Sequence, residues 1–158
     1  MKINEEYNYV VLANDIDKVF LAKFSEYPII DDNLSYNDLC AKLEFHTAKR
    51  IVFNNTFYGL RDKEKIEIIN LLKKQNIKFI LITSNVEDTL YADYIVVYDG
   101  KNIILEGLKN IVLKEEKLLK KVGYGLPFVV DLAIQLSYYD IFSKIYFDMD
   151  ELVDDLWN

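Results

Sequence analysis

Two unbroken apolar runs separated by a helical stretch constrain this chain more than anything else in it. Ile51-Val52-Phe53 ends in Asn54-Asn55, and Phe79-Ile80-Leu81-Ile82 ends in Thr83-Ser84-Asn85. Between them, Arg61 to Gln75 has a helical period. Ile66, Ile69 and Leu72 recur at i, i+3 and i+6, backed by Ile68 and Leu71, with charges opposite. Continuous apolar runs of this length suit strands buried on both faces of a parallel sheet, and the helix between them is the crossover. A third run, Tyr94 to Tyr98, passes through Asp99-Gly100-Lys101-Asn102 into Ile103-Ile104-Leu105, a hairpin signal. The expectation is an α/β fold with a mostly parallel sheet, a small antiparallel hairpin and a helical C-terminal extension.

Ligands on open parallel sheets sit beyond the carboxyl ends of the strands. Asn54, Asn55, Ser84 and Asn85 stand there. They are polar, but none is a carboxylate, a histidine or a cysteine. The scaffold is one that enzymes use, and the groups that do chemistry are missing from its working end.

With 158 residues, about half of them apolar, the chain can bury a sizeable core in one domain or in one domain with an appendage. A net charge of −7 argues against nucleic acid as a partner, because phosphate binding needs basic patches. One cysteine, Cys40, excludes an internal disulfide and a multi-cysteine metal site, and one histidine, His46, leaves little for a histidine-based one. No leader pattern and no apolar run near eighteen residues is present, so a cytoplasmic protein is expected.

Tyr7 to Leu12 reads as a first strand, and Val19 to Phe24 as a short helix after the polar break Asn14 to Lys18. Lys18 stands where a phosphate-binding lysine would follow such a strand. Yet the first 58 residues contain no glycine to let backbone N–H groups wrap a phosphate, and Asp15 and Asp17 would repel one. A surface loop with a solvated lysine is the plainer reading. Ser35 with Asp38 opens a helix to about Ala48, carrying Leu39, Cys40, Leu43 and His46. The charged first turn of the Arg61–Gln75 helix reads as a solvated face. Val86 to Ala92 reads as a short helix with Glu87 and Asp88 in its first turn, where the helix dipole favours them. Leu108 to Val122 reads as two short charged helical turns. Gly123-Tyr124-Gly125-Leu126-Pro127 is a joint that divides the chain into 1–122 and 123–158. Beyond it, Phe128, Leu132, Leu136 and Tyr139 share a broad apolar helical face that must pack on the core or on another chain. Ile145-Tyr146-Phe147 reads as an extended piece, and Asp148 with Glu151 caps a last helix ending near Trp157.

This order of pieces resembles the ATP-binding subunit of ABC transporters of the energy-coupling-factor type, best from Arg50 to the C-terminus. Asn54-Asn55-Thr56-Phe57-Tyr58-Gly59-Leu60-Arg61 is similar to the family's Asp-Glu-Pro-Thr-Ser-Gly-Leu-Asp run. Thr83-Ser84 stands where the family has threonine and a switch histidine. Tyr91-Ala92-Asp93 and the closing hairpin to Glu106-Gly107 are similar, as are Leu118 to Gly123, Leu126 to Val129, Leu132-Ala133 and Glu151 to Val153 in the tail. Tyr9 to Leu12, Asn14, Lys18 and Leu21 to Lys23 match the N-terminal strand, phosphate loop and helix in register. Leu34-Ser35 is similar to the start of the signature Leu-Ser-Gly-Gly-Gln, which Tyr36-Asn37-Asp38 does not continue. The resemblance implies a P-loop NTPase-like fold, and only about ten residues lie between Lys23 and Leu34, where the family has a helical subdomain.

The departures are consistent in kind. The magnesium-holding Asp of the family becomes Asn54, its water-polarising Glu becomes Asn55, its histidine becomes Ser84, and an aspartate at the dimer crossing becomes Arg61. An amide neither supplies the charge a hard cation wants nor acts as a general base. Phosphoryl transfer depends on such positioning and electrostatics. The expectation is a pseudo-ATPase with no catalytic residues, cofactor or metal. Asn14, Lys18, Asn54, Asn55 and Ser84 are then its vestigial nucleotide site. The resemblance implies pairing through the C-terminal region, with Phe128, Leu132, Leu136 and Tyr139 as the interface, to a second copy or to an ABC ATPase-like subunit. A membrane transporter subunit is a further implied partner, which would place the protein at the inner face of the cell membrane, although the usual docking groove goes with the missing subdomain. Two alternatives stay open: a nucleotide or anion sensor that binds without hydrolysis, and new chemistry using loop carboxylates such as Asp15, Asp17, Glu87 and Asp88, which are expected to be solvated.

Overall fold

The computed structural model describes residues 1–31 and 33–158. Six strands form one sheet: β1 (Tyr9–Leu12), β2 (Ile29–Ile30), β3 (Arg50–Asn54), β4 (Lys78–Thr83), β5 (Tyr94–Tyr98) and β6 (Ile103–Leu108). Their spatial order is β2-β3-β4-β1-β5-β6. All neighbouring pairs are parallel except β5 with β6. The hairpin turn between those two needs a positive φ, which Gly100 supplies at +94°.

The helices are α1 (Lys18–Leu21), α2 (Tyr36–Glu44), α3 (Asp62–Lys74), α4 (Lys109–Val112), α5 (Glu116–Lys121), α6 (Phe128–Ser137) and α7 (Met149–Trp157). Single 3₁₀ segments follow α1 at Ala22–Phe24 and β4 at Val86–Tyr91. Ser35 caps α2 by accepting from the Asp38 N–H, and Asp148 caps α7 by accepting from the Glu151 N–H at 3.0 Å. Glu64 reaches back to the Arg61 N–H at 2.8 Å and fixes the start of α3. The extended piece expected at Ile145–Phe147 is irregular chain joining α6 to α7. Where the resemblance implies a helical subdomain, the chain has the short connector Ser25–Pro28, the two-residue β2 and α2.

Alternation along the strands splits the core in two. Val10, Leu12, Ile51, Phe53, Phe79, Leu81, Ile95 and Val97 point to one face, with Leu39 and Leu43 of α2, Ile68 and Leu72 of α3, and Val112 and Leu119 from α4 and α5. Val129, Val130 and Ala133 of α6, Tyr146, and Leu152 of α7 join the same cluster. The chain beyond Gly123 therefore packs on the sheet by the Val129–Val130–Ala133 side of α6. The opposite face buries Tyr9, Val11, Val52, Ile80, Ile82, Val96 and Tyr98 under Phe20 and Phe24, with Leu21 of α1 packed beside them.

Three features of the sequence reading change. In α3 the core-facing residues are Lys65, Ile68 and Leu72, while Ile66 is exposed. The apolar stripe is rotated because Lys65 has a buried partner. Val86–Tyr91 is a 3₁₀ helix, held by the Asn85 side chain accepting from the Glu87 N–H at 3.1 Å. Asp88 is not solvated but 1 % exposed. At the other end of the sheet, buried Arg50 donates to the carbonyls of Tyr7, Asn4 and Glu5 at 2.9, 3.0 and 3.1 Å. Burial pushes its pKa down, and its cation lies against the rings of Tyr9 and Tyr27. It pins the N-terminal segment beneath the sheet.

Candidate functional site at the carboxyl end of the sheet

The carboxyl ends of β1, β2, β3 and β4 converge on a polar hollow of about 240 Å³. Ala13, Asn14, Asp15, Ile16, Asp31, Asn54, Asn55, Ile82 and Thr83 line it. Larger hollows of about 470 and 600 Å³ lie elsewhere, at the amino end of the sheet around Arg50 and between α2 and α3. Neither is near the strand ends where a doubly wound sheet places its chemistry.

The hollow has a rigid floor. The Ala13 N–H donates to the Thr83 carbonyl at 3.0 Å, and the Asn55 N–H donates to the Ile82 carbonyl at 2.9 Å. Asn55 has a positive φ of 55°, a conformation asparagine tolerates better than most side chains, and this turns the chain out of β3. The Asn54 amide donates to the Asp31 carboxylate at 2.6 Å. Thr56 donates to the Ile30 carbonyl at 3.0 Å and ties the same loop to β2. On the β1 side, the Asp17 carboxylate accepts from the Phe20 N–H at 2.6 Å and caps α1. One N–H that this helix start could offer to an anion is thus already turned toward a carboxylate of the chain itself.

Of the five residues nominated from sequence, Asn14, Asn54 and Asn55 line the hollow together. Lys18 and Ser84 are exposed and are not among its lining residues. The carboxylates Asp15 and Asp31 line it instead. An anion entering would meet two carboxylates and three amides. Among the described residues, no three His, Cys, Asp or Glu side chains gather as a metal site requires.

Sequence reasoning missed the strongest polar cluster near this end. The Lys65 ammonium lies 2.8 Å from Asp88, with the two side chains 6 % and 2 % exposed. The Thr83 hydroxyl donates to the other Asp88 oxygen at 2.7 Å and accepts from the Asn85 N–H at 3.1 Å. Its neighbour Glu87 accepts from the Phe128 N–H at 2.7 Å. The 3₁₀ turn after β4 thereby joins α3, the end of β4 and the start of α6. No spacing in the sequence signals this, because a lysine and an aspartate 23 residues apart read as two separate surface charges.

No family model matches the chain. Over 74 residues it is 40 % identical to the energy-coupling factor transporter ATP-binding protein EcfA1 of Caldanaerobacter subterraneus, covering 44 % of this chain and 27 % of that relative. Over 112 residues it is 33 % identical to the protein of the same name from Clostridium novyi, covering 67 % of this chain and 40 % of that relative. The chain is a homologue of energy-coupling factor transporter ATP-binding proteins. It spans well under half the length of these curated relatives. A solved structure of CbiO1 from Clostridium perfringens, described as part of an ABC transporter complex, overlaps it with a TM-score of 0.49 at 14 % identity, over 77 % of this chain and 85 % of that one.

Proposed function

We propose that this homologue is a pseudo-ATPase: an ABC ATPase-like protein without catalysis that acts by associating with another protein. The observation that carries this is the state of the hollow at the strand ends. Its own carboxylates stand where a nucleotide would need donors and cations. Asp17 holds the Phe20 N–H in the first turn of α1, Asp31 holds Asn54, and Asp15 lines the opening. Asn54 and Asn55 supply neither a magnesium ligand of the required charge nor a general base. The residues present do not fit magnesium and ATP.

A thermal melt with and without millimolar magnesium and ATP tests this reading. A ligand at 100 times its dissociation constant adds about 2.7 kcal/mol, which for a domain of this size raises the midpoint by roughly 5–10 °C. The expected result is an unchanged midpoint. A rise of several degrees would overturn the reading in favour of a nucleotide sensor.

Association is assigned to the free side of α6. Phe128 at the start of α6 is exposed, as is Tyr139, which lies in the turn beyond the helix and not on the helical face expected from sequence; Leu132 and Leu136 are half-buried and pack in part against the core, while Val129, Val130 and Ala133 are buried on it. An apolar helical side of this kind, left open beside a packed one, suits an interface. A second copy or an ABC ATPase-like subunit is the partner. Among the described residues no helix is long and apolar enough to cross a membrane; a membrane transporter subunit is a further partner the family resemblance offers. In sedimentation the full chain is expected to run as a dimer. Phe128→Ser combined with Tyr139→Ser, both at exposed positions, should leave the melting midpoint in place and return the chain to monomer. A double variant that still pairs would remove α6 from the interface.

A further inference from the structure

The last helix, α7, carries a second open surface with a distinct character. Leu152 faces the core. Glu151 and Asp155 face Lys144, at 3.0 and 2.8 Å, and Asp155 also accepts from the Tyr146 hydroxyl at 2.7 Å. The Lys144 contact, followed by the Tyr146 hydrogen bond, holds the Asp155 carboxyl below its usual range. These two carboxylates are paired within the chain, at its surface.

The other side of α7 is different. Asp150, Val153, Asp154 and Trp157 fall at i, i+3, i+4 and i+7, a spacing that sets four side chains on one helical face. Val153 is 38 % and Trp157 82 % exposed, and Leu156 beside them is 44 % exposed. Asp150 and Asp154 have no ion-pair partner among the described residues. An apolar ridge is therefore flanked by two uncommitted carboxylates, on a chain whose net charge is −7.

We propose that the Asp150–Val153–Asp154–Trp157 strip is a docking ridge for a basic amphipathic helix of another protein. The charge pattern selects the occupant. A leucine-rich stripe covers Val153 and Trp157, and lysine or arginine beside it pairs with Asp150 and Asp154. Amphipathic helices commonly bind by laying an apolar face on an apolar surface, and complementary rims set the partner. A second copy is disfavoured, because a two-fold contact through this strip sets Asp150 and Asp154 against their own images. An anionic bilayer is disfavoured for the same reason of sign. The long-range field of the acidic chain steers a basic partner toward this surface. A large exposed tryptophan is also the residue type that dominates binding energy at interfaces. The proposal is independent of pairing through α6.

The chain contains a single tryptophan, so its emission reports this ridge directly. The experiment uses the full chain with Phe128→Ser and Tyr139→Ser, which silences the α6 surface. Its probes are two synthetic tryptophan-free helical peptides with the same leucine stripe, one bearing lysine and one bearing glutamate on the polar side. The basic peptide is expected to give a saturable blue shift that weakens as salt rises, and the acidic peptide none. Changing Asp150 and Asp154 to asparagine should weaken binding about tenfold at low salt. D150K with D154K should reverse the preference, which keeps the test decisive if the asparagine variant loosens the helix. The proposal is overturned by equal shifts from both peptides or no shift from either. It is equally overturned if the shift follows protein concentration alone, which would mean a second copy, or appears with anionic phosphatidylglycerol vesicles but not with the basic peptide.

Discussion

Replacing Lys65 by alanine is expected to destabilise the protein by about 3–5 kcal/mol, because it strands the Asp88 carboxylate in the interior. At this chain length that lowers the melting midpoint by roughly 6–20 °C. The pair is closed off from solvent and lies 2.8 Å apart, so neither partner can fall back on water. Asp88→Asn should cost a similar amount despite its matching shape, since it leaves the lysine charged and unpaired. Lys65→Met with Asp88→Leu removes both charges and should recover most of the loss, because an apolar pair of similar volume replaces a desolvated ion pair at little cost. Adding Lys65→Met and Asp88→Leu as single variants completes a double-mutant cycle with the parent and the double variant, read by thermal melts. A single-variant loss below about 1 kcal/mol would place the pair in the solvated class and would remove the explanation given for the rotated face of α3.

Val130→Asp is the second large effect. Val130 is fully buried in the apolar cluster that joins α6 to the sheet, so a carboxylate there is taken out of water. The expected cost is at least about 3 kcal/mol. The measurement is the melt followed both by far-ultraviolet circular dichroism and by Trp157 emission. Because α6, α7 and the sheet share one cluster, both signals should move together to the lower temperature. If only the tryptophan signal moved, residues 123–158 would melt as a unit of their own, and the association surface would be separable from the sheet.

The parallel sheet was legible from the apolar runs at Ile51–Phe53 and Phe79–Ile82, because strands buried on both faces leave few positions for polar residues. The hairpin was legible from Asp99 to Asn102 for its turn chemistry. The hollow was legible in part. Asn54 and Asn55 follow from the rule that chemistry sits beyond the carboxyl ends of strands, whereas Asp31 enters from a two-residue strand too short to carry a periodic signal. Lys65 and Asp88 were hidden for a physical reason. Charge normally predicts exposure, and only a partner distant in sequence reverses that. The same pair accounts for Ile66, whose apolar side chain fits the helical stripe yet points to solvent.

The strand order decides when each strand can first pair as the chain is made. Strand β1 lies in the middle, with Tyr9 paired to Ile80 on one side and to Tyr94 on the other. Strand β1 is made before either neighbour and has none until the chain has grown past β4, with the second arriving only at β5. Until β4 is made, its apolar Tyr-Val-Val-Leu run is exposed with both edges open, the condition in which nascent chains mispair. Closing those long loops precedes any reward from the pairing, so folding is slow for a domain of this size. The strand order alone thus defines the interval of chain growth over which β1 stays unpaired.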